Sequence, residues 1–149
     1  MVESKPVRRA AVPSDGLVDG LVRTSFFCMA VLNKIGAEND LSLTQLRVCG
    51  ILRDRRVRMA ELAEYLGLEK STMSGLIDRA EKRGLVARSP SPEDRRAIDV
   101  YLTSEGAALV KDLYAQVRQS LAHLTSRLGA SDQRQLEELL RRMLDAPGG

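Results

Sequence analysis

Apolar side chains recur three or four residues apart along the first part of the chain. Spacing of this kind predicts one long amphipathic helix from Asp15 to about Gly36, where the glycine would end it. A second helix is predicted to follow, with Ser42 or Thr44 as its N-terminal cap. The apolar positions of these two helices are Leu17, Val18, Leu21, Val22, Cys28, Met29, Leu32, Ile35, Leu46, Val48, Cys49, Ile51 and Leu52.

The segment RMAELAEYLGLEKSTMSGLIDRAEKRGLV predicts two short helices joined by a tight turn. The first would run from about Met59 to Leu66 and end at Gly67. The second would run from about Lys70 to Arg83, with an apolar stripe at i, i+3, i+4 and i+7. Gly84 is placed to end it in the left-handed conformation that glycine adopts easily. Helix, short turn and helix together predict a helix-turn-helix.

Two short strands are predicted next, in LVARS and AIDVYLT. The second strand alternates apolar and polar residues, which is typical of a half-buried strand. Its apolar set is Ile98, Val100 and Leu102, and its polar set is Asp99, Tyr101 and Thr103. The proline- and charge-rich segment from Pro90 to Arg96 then becomes the tip of a β-hairpin, and a hairpin directly after a helix-turn-helix is a wing.

The last third of the chain predicts two more helices. Thr103 would cap one from Ser104 to about Leu128, Gly129 would end it, and Ser131 would cap the last. The predicted fold is mainly α with a small β-hairpin wing. A flexible tail, 1–14, precedes a single domain, 15–149. That domain has a winged helix-turn-helix over about 42–103 between helices at about 15–36 and 104–145.

Composition excludes several classes of protein. With 149 residues, 44% of them hydrophobic and 29% charged, the chain is globular, and its 3% aromatic content favours a helical core. The longest apolar run, 26–32, is too short to span a membrane, and the two cysteines form no disulfide or zinc pattern. A reduced, cytoplasmic protein is predicted. With one histidine, no nucleophile–base pair and no glycine-rich phosphate loop, we expect no enzyme, no metal and no cofactor.

Positive charge is concentrated in the middle of the chain, although the net charge is only +3. On the solvent side of the second helix of the pair, small residues precede basic ones, so its backbone could approach another surface closely. The residues on this side are Ser71, Thr72, Ser74, Gly75, Asp78, Arg79 and Lys82. The helix N-terminus also offers free N–H groups to phosphate. Helix capping is the alternative role for the hydroxyl residues, and the arginines between 53 and 58 could either touch phosphate or solvate a helix end.

These motifs resemble the MarR family of transcriptional regulators over nearly the whole chain. The most specific mark is a wing ending in Asp-x-Arg, here Asp94 and Arg96, followed by Leu102 and Thr103. The resemblance implies a homodimer whose first and last helices interlock and whose two winged modules grip a pseudo-palindromic operator in double-stranded DNA. Repression is the expected outcome.

The resemblance also implies roles for individual residues. Ser71, Thr72, Ser74 and Arg79 would face the major groove, with Gly75 allowing close approach. At the wing, which also carries Arg95, Arg96 would enter the minor groove, steadied by Asp94, and Arg88 would contact a phosphate. A small aromatic effector would bind near Phe26, Phe27, Met29, Val48 and Leu52. Met59 departs from the pattern, because many relatives have a capping residue there.

Two other functions remain open at this point. A winged helix can act as a protein-interaction module alone, in which case binding to DNA would lack the steep salt dependence of phosphate contacts. A thiol-based redox-sensing regulator is the other, and it would use Cys28 or Cys49. Both cysteines lie among apolar neighbours in the sequence, so we expect them to be buried and unreactive.

Overall fold

The computed structural model describes residues 10–145, and within them six helices and three strands form the mainly helical fold that the sequence predicts. The predicted tail therefore lies mostly outside the described residues, as do residues 146–149. In chain order the elements are α1 (Asp15–Glu38), α2 (Leu43–Leu52), β1 (Val57–Arg58), α3 (Met59–Leu66), α4 (Lys70–Lys82), β2 (Val86–Pro90), β3 (Ile98–Leu102), α5 (Ser104–Thr125) and α6 (Ala130–Leu144).

The corner between α1 and α2 differs from the prediction. Helix α1 continues past Gly36 to Glu38, because Gly36 is buried and serves a close contact instead of ending the helix. A Cβ at this position would collide with the carbonyl oxygen of Leu41, whose own N–H donates to the Gly36 carbonyl at 2.8 Å. The chain turns at Asp40, a non-glycine residue in the left-handed region at φ 53°. Packing at the corner thus requires the glycine.

Ser42, one of the two predicted capping residues, begins α2 with a capping box. Its hydroxyl accepts from the Gln45 N–H at 3.1 Å, and the Gln45 side chain accepts from the Ser42 N–H at 2.8 Å. The helix-turn-helix, α3 and α4, matches its prediction closely. Gly67 and Gly84 both adopt the left-handed conformation, at φ 65° and 74°, as the ends of these helices require.

The hydrophobic core lies where α2, α3 and α4 meet the sheet. Its most deeply buried large side chains are Leu62, Met73, Ile77, Val48 and Val100. The sheet has the order β1-β3-β2 and is antiparallel throughout. Strand β1, with only two residues, was not predicted; it pairs Val57 with Val100 and Arg58 with Asp99.

Strand β3 does not alternate as expected. Asp99, predicted to face solvent, is only 7% exposed, whereas Ile98 is 39% exposed. The Arg56 side chain explains the burial: its Nε lies 3.5 Å from the Asp99 carboxylate, and its guanidinium lies over the Tyr101 ring at 4.5 Å. The outer face of the sheet is therefore covered by an arginine, and a carboxylate is buried beneath it.

Of the two caps predicted for the C-terminal helices, one is confirmed and the other is wrong. Thr103 caps α5, accepting from the Gly106 N–H at 3.0 Å, and its hydroxyl donates to the Gly84 carbonyl. Helix α5 ends at Thr125, three residues before the predicted end. Ser131 does not cap α6: the N-cap is Gly129, and the Gln133 side chain satisfies the carbonyls of Thr125 and Leu128 across the turn. No residue of α6 is buried within this chain.

Candidate nucleic-acid interface

Helix α4 has one buried face and one open face. Met73, Leu76, Ile77 and Ala80 pack into the core, so the remaining positions turn outward. Of the predicted DNA-facing residues, Ser71, Thr72 and Arg79 are exposed, and Ser74 and Gly75 are half-buried. The structure therefore brings the predicted set together on one side of α4.

The N-terminus of α4 has no side-chain cap. Its N-cap residue is Glu69, in an extended conformation, and no side chain within residues 10–145 bonds to the first-turn N–H groups. Capping was the alternative role for the hydroxyls of Ser71, Thr72 and Ser74, and none of them caps this helix. The first turn therefore presents unpaired N–H donors and the positive end of the helix dipole, an arrangement suited to an anion.

The wing tip lies between β2 and β3, and its turn is held by Asp94. The Asp94 carboxylate accepts from the main-chain N–H of Arg96 at 3.0 Å, and the Asp94 carbonyl accepts from the Ala97 N–H at 2.9 Å. We expected this carboxylate to steady the Arg96 guanidinium, but it fixes the backbone instead. Arg95 and Arg96 are exposed, and neither forms a salt bridge within residues 10–145, so both guanidinium groups are available to a partner.

Arg88 is not at the wing tip. Its guanidinium pairs with the carboxylate of Asp78, and its Nε lies 3.4 Å from the Glu81 carboxylate, both on α4. Only 27% of the side chain is exposed. The predicted phosphate contact thus has its charge already engaged by two carboxylates of the chain.

The arginines between 53 and 58 are largely occupied as well. Arg53 stacks on the Tyr114 ring at 4.0 Å, Arg56 covers Asp99, and Arg58 lies 3.4 Å from Glu93 in the wing. Helix α3 begins directly after Arg58 without a side-chain cap, as the departure at Met59 predicts. The pairing of β1 with β3 fixes the chain at this point, so the start of α3 is held by the sheet.

A cavity of about 530 Å³ lies between α1, α2, α3 and α5. Its walls are mostly apolar, and Arg47 is the only charged residue among them. The lining residues are Met29, Leu32, Leu43, Leu46, Arg47, Cys49, Gly50, Ile51, Tyr65, Val110, Leu113, Tyr114 and Val117. The Arg47 guanidinium lies 5.5 Å from the centre of the Tyr65 ring.

The predicted effector residues coincide with this cavity only at Met29. Val48 and Leu52 lie on the side of α2 that packs into the core, whereas Leu43, Leu46, Arg47 and Gly50, one helical stripe, face the cavity. Phe26 is 66% exposed on α1, and Phe27 is also exposed. The prediction named residues of α1 and α2, two helices that do line the cavity. Apart from Met29, it chose residues on faces of these helices that do not meet the cavity.

Comparison with known proteins agrees with this architecture. The MarR family profile matches residues 39–97, which include the helix-turn-helix and the wing tip. The chain is 32% identical over 116 residues to the multiple antibiotic resistance protein MarR of Escherichia coli, covering 76% of this chain and 81% of that protein. The chain belongs to the MarR family. It is also 31% identical over 118 residues to the transcriptional repressor NicR of Pseudomonas putida, covering 78% and 75% of the two chains.

Solved structures share the fold over most of this chain. The apo form of wild-type MarR from E. coli superposes with a TM-score of 0.68 at 27% identity, covering 90% of this chain and 98% of that one. CouR from Rhodococcus jostii, bound to p-coumaroyl-CoA, gives 0.71 at 26% identity, covering 87% and 92%. The winged helix-turn-helix flanked by terminal helices is thus the MarR architecture that the sequence predicts.

The two cysteines of this MarR chain lie in different surroundings. Cys49 is buried in α2 at the cavity wall, and burial raises the pKa of its thiol more than the nearby Arg83 lowers that pKa. Cys28 is half-buried within this chain, so its predicted full burial is wrong here. A redox-sensing cysteine needs a lowered pKa, and Cys49 has the opposite shift.

Within residues 10–145, none of the helices combines the length and the apolar character that a membrane span requires. Nor does any group of three or more His, Cys, Asp or Glu side chains within 10–145 come together as a metal site.

Proposed function

We propose that this MarR-family chain is a homodimeric transcriptional repressor that binds a pseudo-palindromic operator. Helix α4 would enter the major groove, and the wing would enter the adjacent minor groove. The observation that carries the proposal is the arrangement of α4 and the wing: an uncapped helix N-terminus with a small polar face, next to a turn from which Arg95 and Arg96 extend outward.

Each part of this surface suits a different feature of DNA. The first turn of α4 offers N–H groups to a phosphate, and the small side chains there let the backbone come close to the base edges. Gly75 leaves room beside Arg79, since a Cβ at position 75 would meet only the Arg79 guanidinium at 3.6 Å. The exposed wing arginines suit a narrow minor groove, whose negative potential attracts them.

A homodimer would cover the apolar faces of the terminal helices. These faces are exposed in the single chain, and α6 has no buried residue at all although apolar residues repeat along it. The exposed apolar residues of α1 and α6 are Leu17, Val18, Leu21, Val22, Phe26, Phe27, Met29, Leu136, Leu139, Leu140, Met143 and Leu144. Exposed apolar side chains that repeat along a helix in this way are typical of an interface. Two winged modules joined there would contact half-sites about 10 base pairs apart.

A small aromatic acid would release the repressor from DNA by binding in the cavity. The apolar walls and the rings of Tyr65 and Tyr114 suit an aromatic body, and Arg47 suits one negative charge. The structural neighbour CouR was solved in complex with p-coumaroyl-CoA. Because the cavity lies between α1, α5 and the winged module, a ligand there would change the spacing of the two modules.

The test is fluorescence anisotropy on DNA from upstream of the gene, measured across salt concentrations beside a scrambled duplex. We expect tight, sequence-selective binding that weakens steeply with salt. Arg96→Ala should weaken it by about 1–3 kcal/mol. Arg127→Ala, which removes the same charge from the α5–α6 turn, should not. Unchanged affinity of a folded Arg96→Ala protein would contradict the role of the wing, and binding indifferent to sequence and salt would favour a protein-interaction module.

A further inference from the structure

Arg88 occupies a position on β2 where an apolar residue would be expected. It pairs across the sheet with Val100, which is fully buried, and it lies two residues after Val86, which is also buried. Opposed residues in an antiparallel pair share a face, and so do residues two apart on a strand. The Arg88 side chain is therefore directed to the inner face of the sheet, toward α4.

Two carboxylates of α4 meet the guanidinium there. Asp78 pairs with one terminal nitrogen, and Glu81, one helical turn further on, lies 3.4 Å from Nε. Nε itself is buried and forms no hydrogen bond within the described residues, so its contact with Glu81 is an ion pair without hydrogen-bond geometry. Asp78 and Glu81 both remain partly exposed, beside Arg79 on the helix that would enter DNA.

We propose that Arg88 is the counter-ion of the DNA-reading helix and a positioning residue for it, and that it makes no contact with phosphate. The inference rests on the proposed function. Without Arg88, α4 would bring two uncompensated carboxylates toward a phosphate backbone, and like charges at this range repel. With Arg88 in place, one of these charges is cancelled and β2 is attached to α4, which fixes the wing relative to the helix.

A double-mutant cycle separates this role from direct contact. The variants are Arg88→Gln, Asp78→Asn and the two combined, and the combined variant has the net charge of the unchanged protein. Arg95→Gln, alone and with Asp78→Asn, is the matched reference, because Arg95 is exposed in the wing and has no salt bridge within residues 10–145. Operator affinity is measured across salt concentrations, and the free energy of unfolding in urea is measured for each protein.

We expect Arg88→Gln to weaken DNA binding about fivefold to tenfold, with the slope of log affinity against log salt unchanged. Adding Asp78→Asn should restore affinity to within about twofold of the unchanged protein. Arg95→Gln should reduce the slope by about one phosphate contact, and Asp78→Asn should act on it only additively. Arg88→Lys keeps the charge and should therefore retain most of the affinity. It replaces Arg88→Gln as the test variant if Arg88→Gln does not fold.

The opposite pattern would overturn the proposal. A slope reduced by about one in Arg88→Gln, with the loss not repaired by Asp78→Asn, would make Arg88 a phosphate contact like Arg95. Failure of the unchanged protein to bind DNA in a salt-dependent way would instead contradict the proposed function. The free energies of unfolding alone would then test the pairing of Arg88 with Asp78. Non-additive losses in the combined variant would support the pair, and additive losses would exclude it.

Discussion

The guanidinium of Arg83 donates a hydrogen bond of 2.7 Å to the main-chain carbonyl oxygen of Asp40. A second one, of 3.0 Å, goes to the carbonyl of Asn39. Arg83 is the C-cap residue of α4, and Asp40 is the left-handed residue at the corner between α1 and α2. One side chain thus connects the end of the proposed DNA-reading helix to the base of the proposed dimerisation helix.

Removing this connection should destabilise the fold slightly. Arg83→Ala loses two charge-assisted hydrogen bonds to groups at the surface, so we expect the free energy of unfolding to fall by about 1 kcal/mol. Lys82→Ala, the matched control, removes the same charge from the neighbouring exposed position and should change stability by less than about 0.5 kcal/mol. Urea unfolding measures both. Equal effects of the two substitutions would show that the hydrogen bonds contribute nothing beyond charge.

Two helical glycines should respond to alanine in opposite directions. A Cβ at Gly106 would overlap the Leu85 carbonyl where α5 meets the start of β2, and backbone cannot move aside cheaply. Gly106→Ala should therefore lower the free energy of unfolding by at least about 2 kcal/mol. At Gly50 a Cβ would meet only the Tyr114 hydroxyl, at 3.7 Å. Gly50→Ala should stabilise α2 by about 0.5–1 kcal/mol. Thermal unfolding of both variants tests the contrast, and a stable Gly106→Ala protein would contradict the close packing.

Local signals in the sequence were enough to place several elements. The bounds of α3 and α4, the left-handed Gly67 and Gly84, and the Thr103 cap were all predicted, because each depends on residues within one or two turns of itself. The predicted DNA-facing residues of α4 share one side for the same reason. Helical periodicity decides which side of α4 is buried, and the remainder is left for a partner.

Features that depend on distant residues were not predicted correctly. Strand β1 has two residues, and only its pairing with β3 makes it a strand. The alternation along β3 predicts that Asp99 faces solvent, because the sequence does not show that Arg56 covers it. From the sequence alone Arg88 is expected to be a free cation of the wing. Its partners, Glu81 and Asp78, lie seven and ten residues earlier on a different element, α4. The residues lining the cavity were predicted on the wrong face of α2. Both faces of this helix are covered, and the sequence does not show which face meets the core and which meets the cavity.

The cover over Asp99 should contribute to stability. Arg56→Ala would leave a carboxylate that is 7% exposed without its counter-ion. We expect a loss of about 1–2 kcal/mol in the free energy of unfolding, moderated by solvent because nearly half of the Arg56 side chain is exposed. Asp99→Asn in the same protein should recover much of the loss. Arg55→Ala, at an exposed neighbour with no salt bridge within the described residues, is the control and should have little effect. Urea unfolding that shows no difference between the two arginines would exclude the pair as a stabilising contact.

The Cys49 thiol should be unreactive in the folded protein and should make stability fall at high pH. Burial at the cavity wall raises its pKa, with Arg83 acting in the opposite direction. The thiol of the unfolded chain ionises near its ordinary pKa of 9.0, whereas the thiol of the folded chain is still protonated there. The unfolded state then binds fewer protons than the folded state. The free energy of unfolding should therefore fall as the pH rises through 9.

A protein with Cys28→Ala leaves Cys49 as its only thiol and tests both consequences. Its reaction with an aromatic disulfide at pH 8 should be at least about tenfold slower when folded than when unfolded in urea, because the thiolate is scarce and covered. An aromatic acid that occupies the cavity should slow the reaction further, since Cys49 lines the wall. The Cys49→Ala protein is the control for pH: its stability should decline less between pH 8 and 10. A folded Cys28→Ala protein that reacts as fast as the unfolded chain would return the redox-sensing alternative to consideration, because the thiol would then be accessible and ionised.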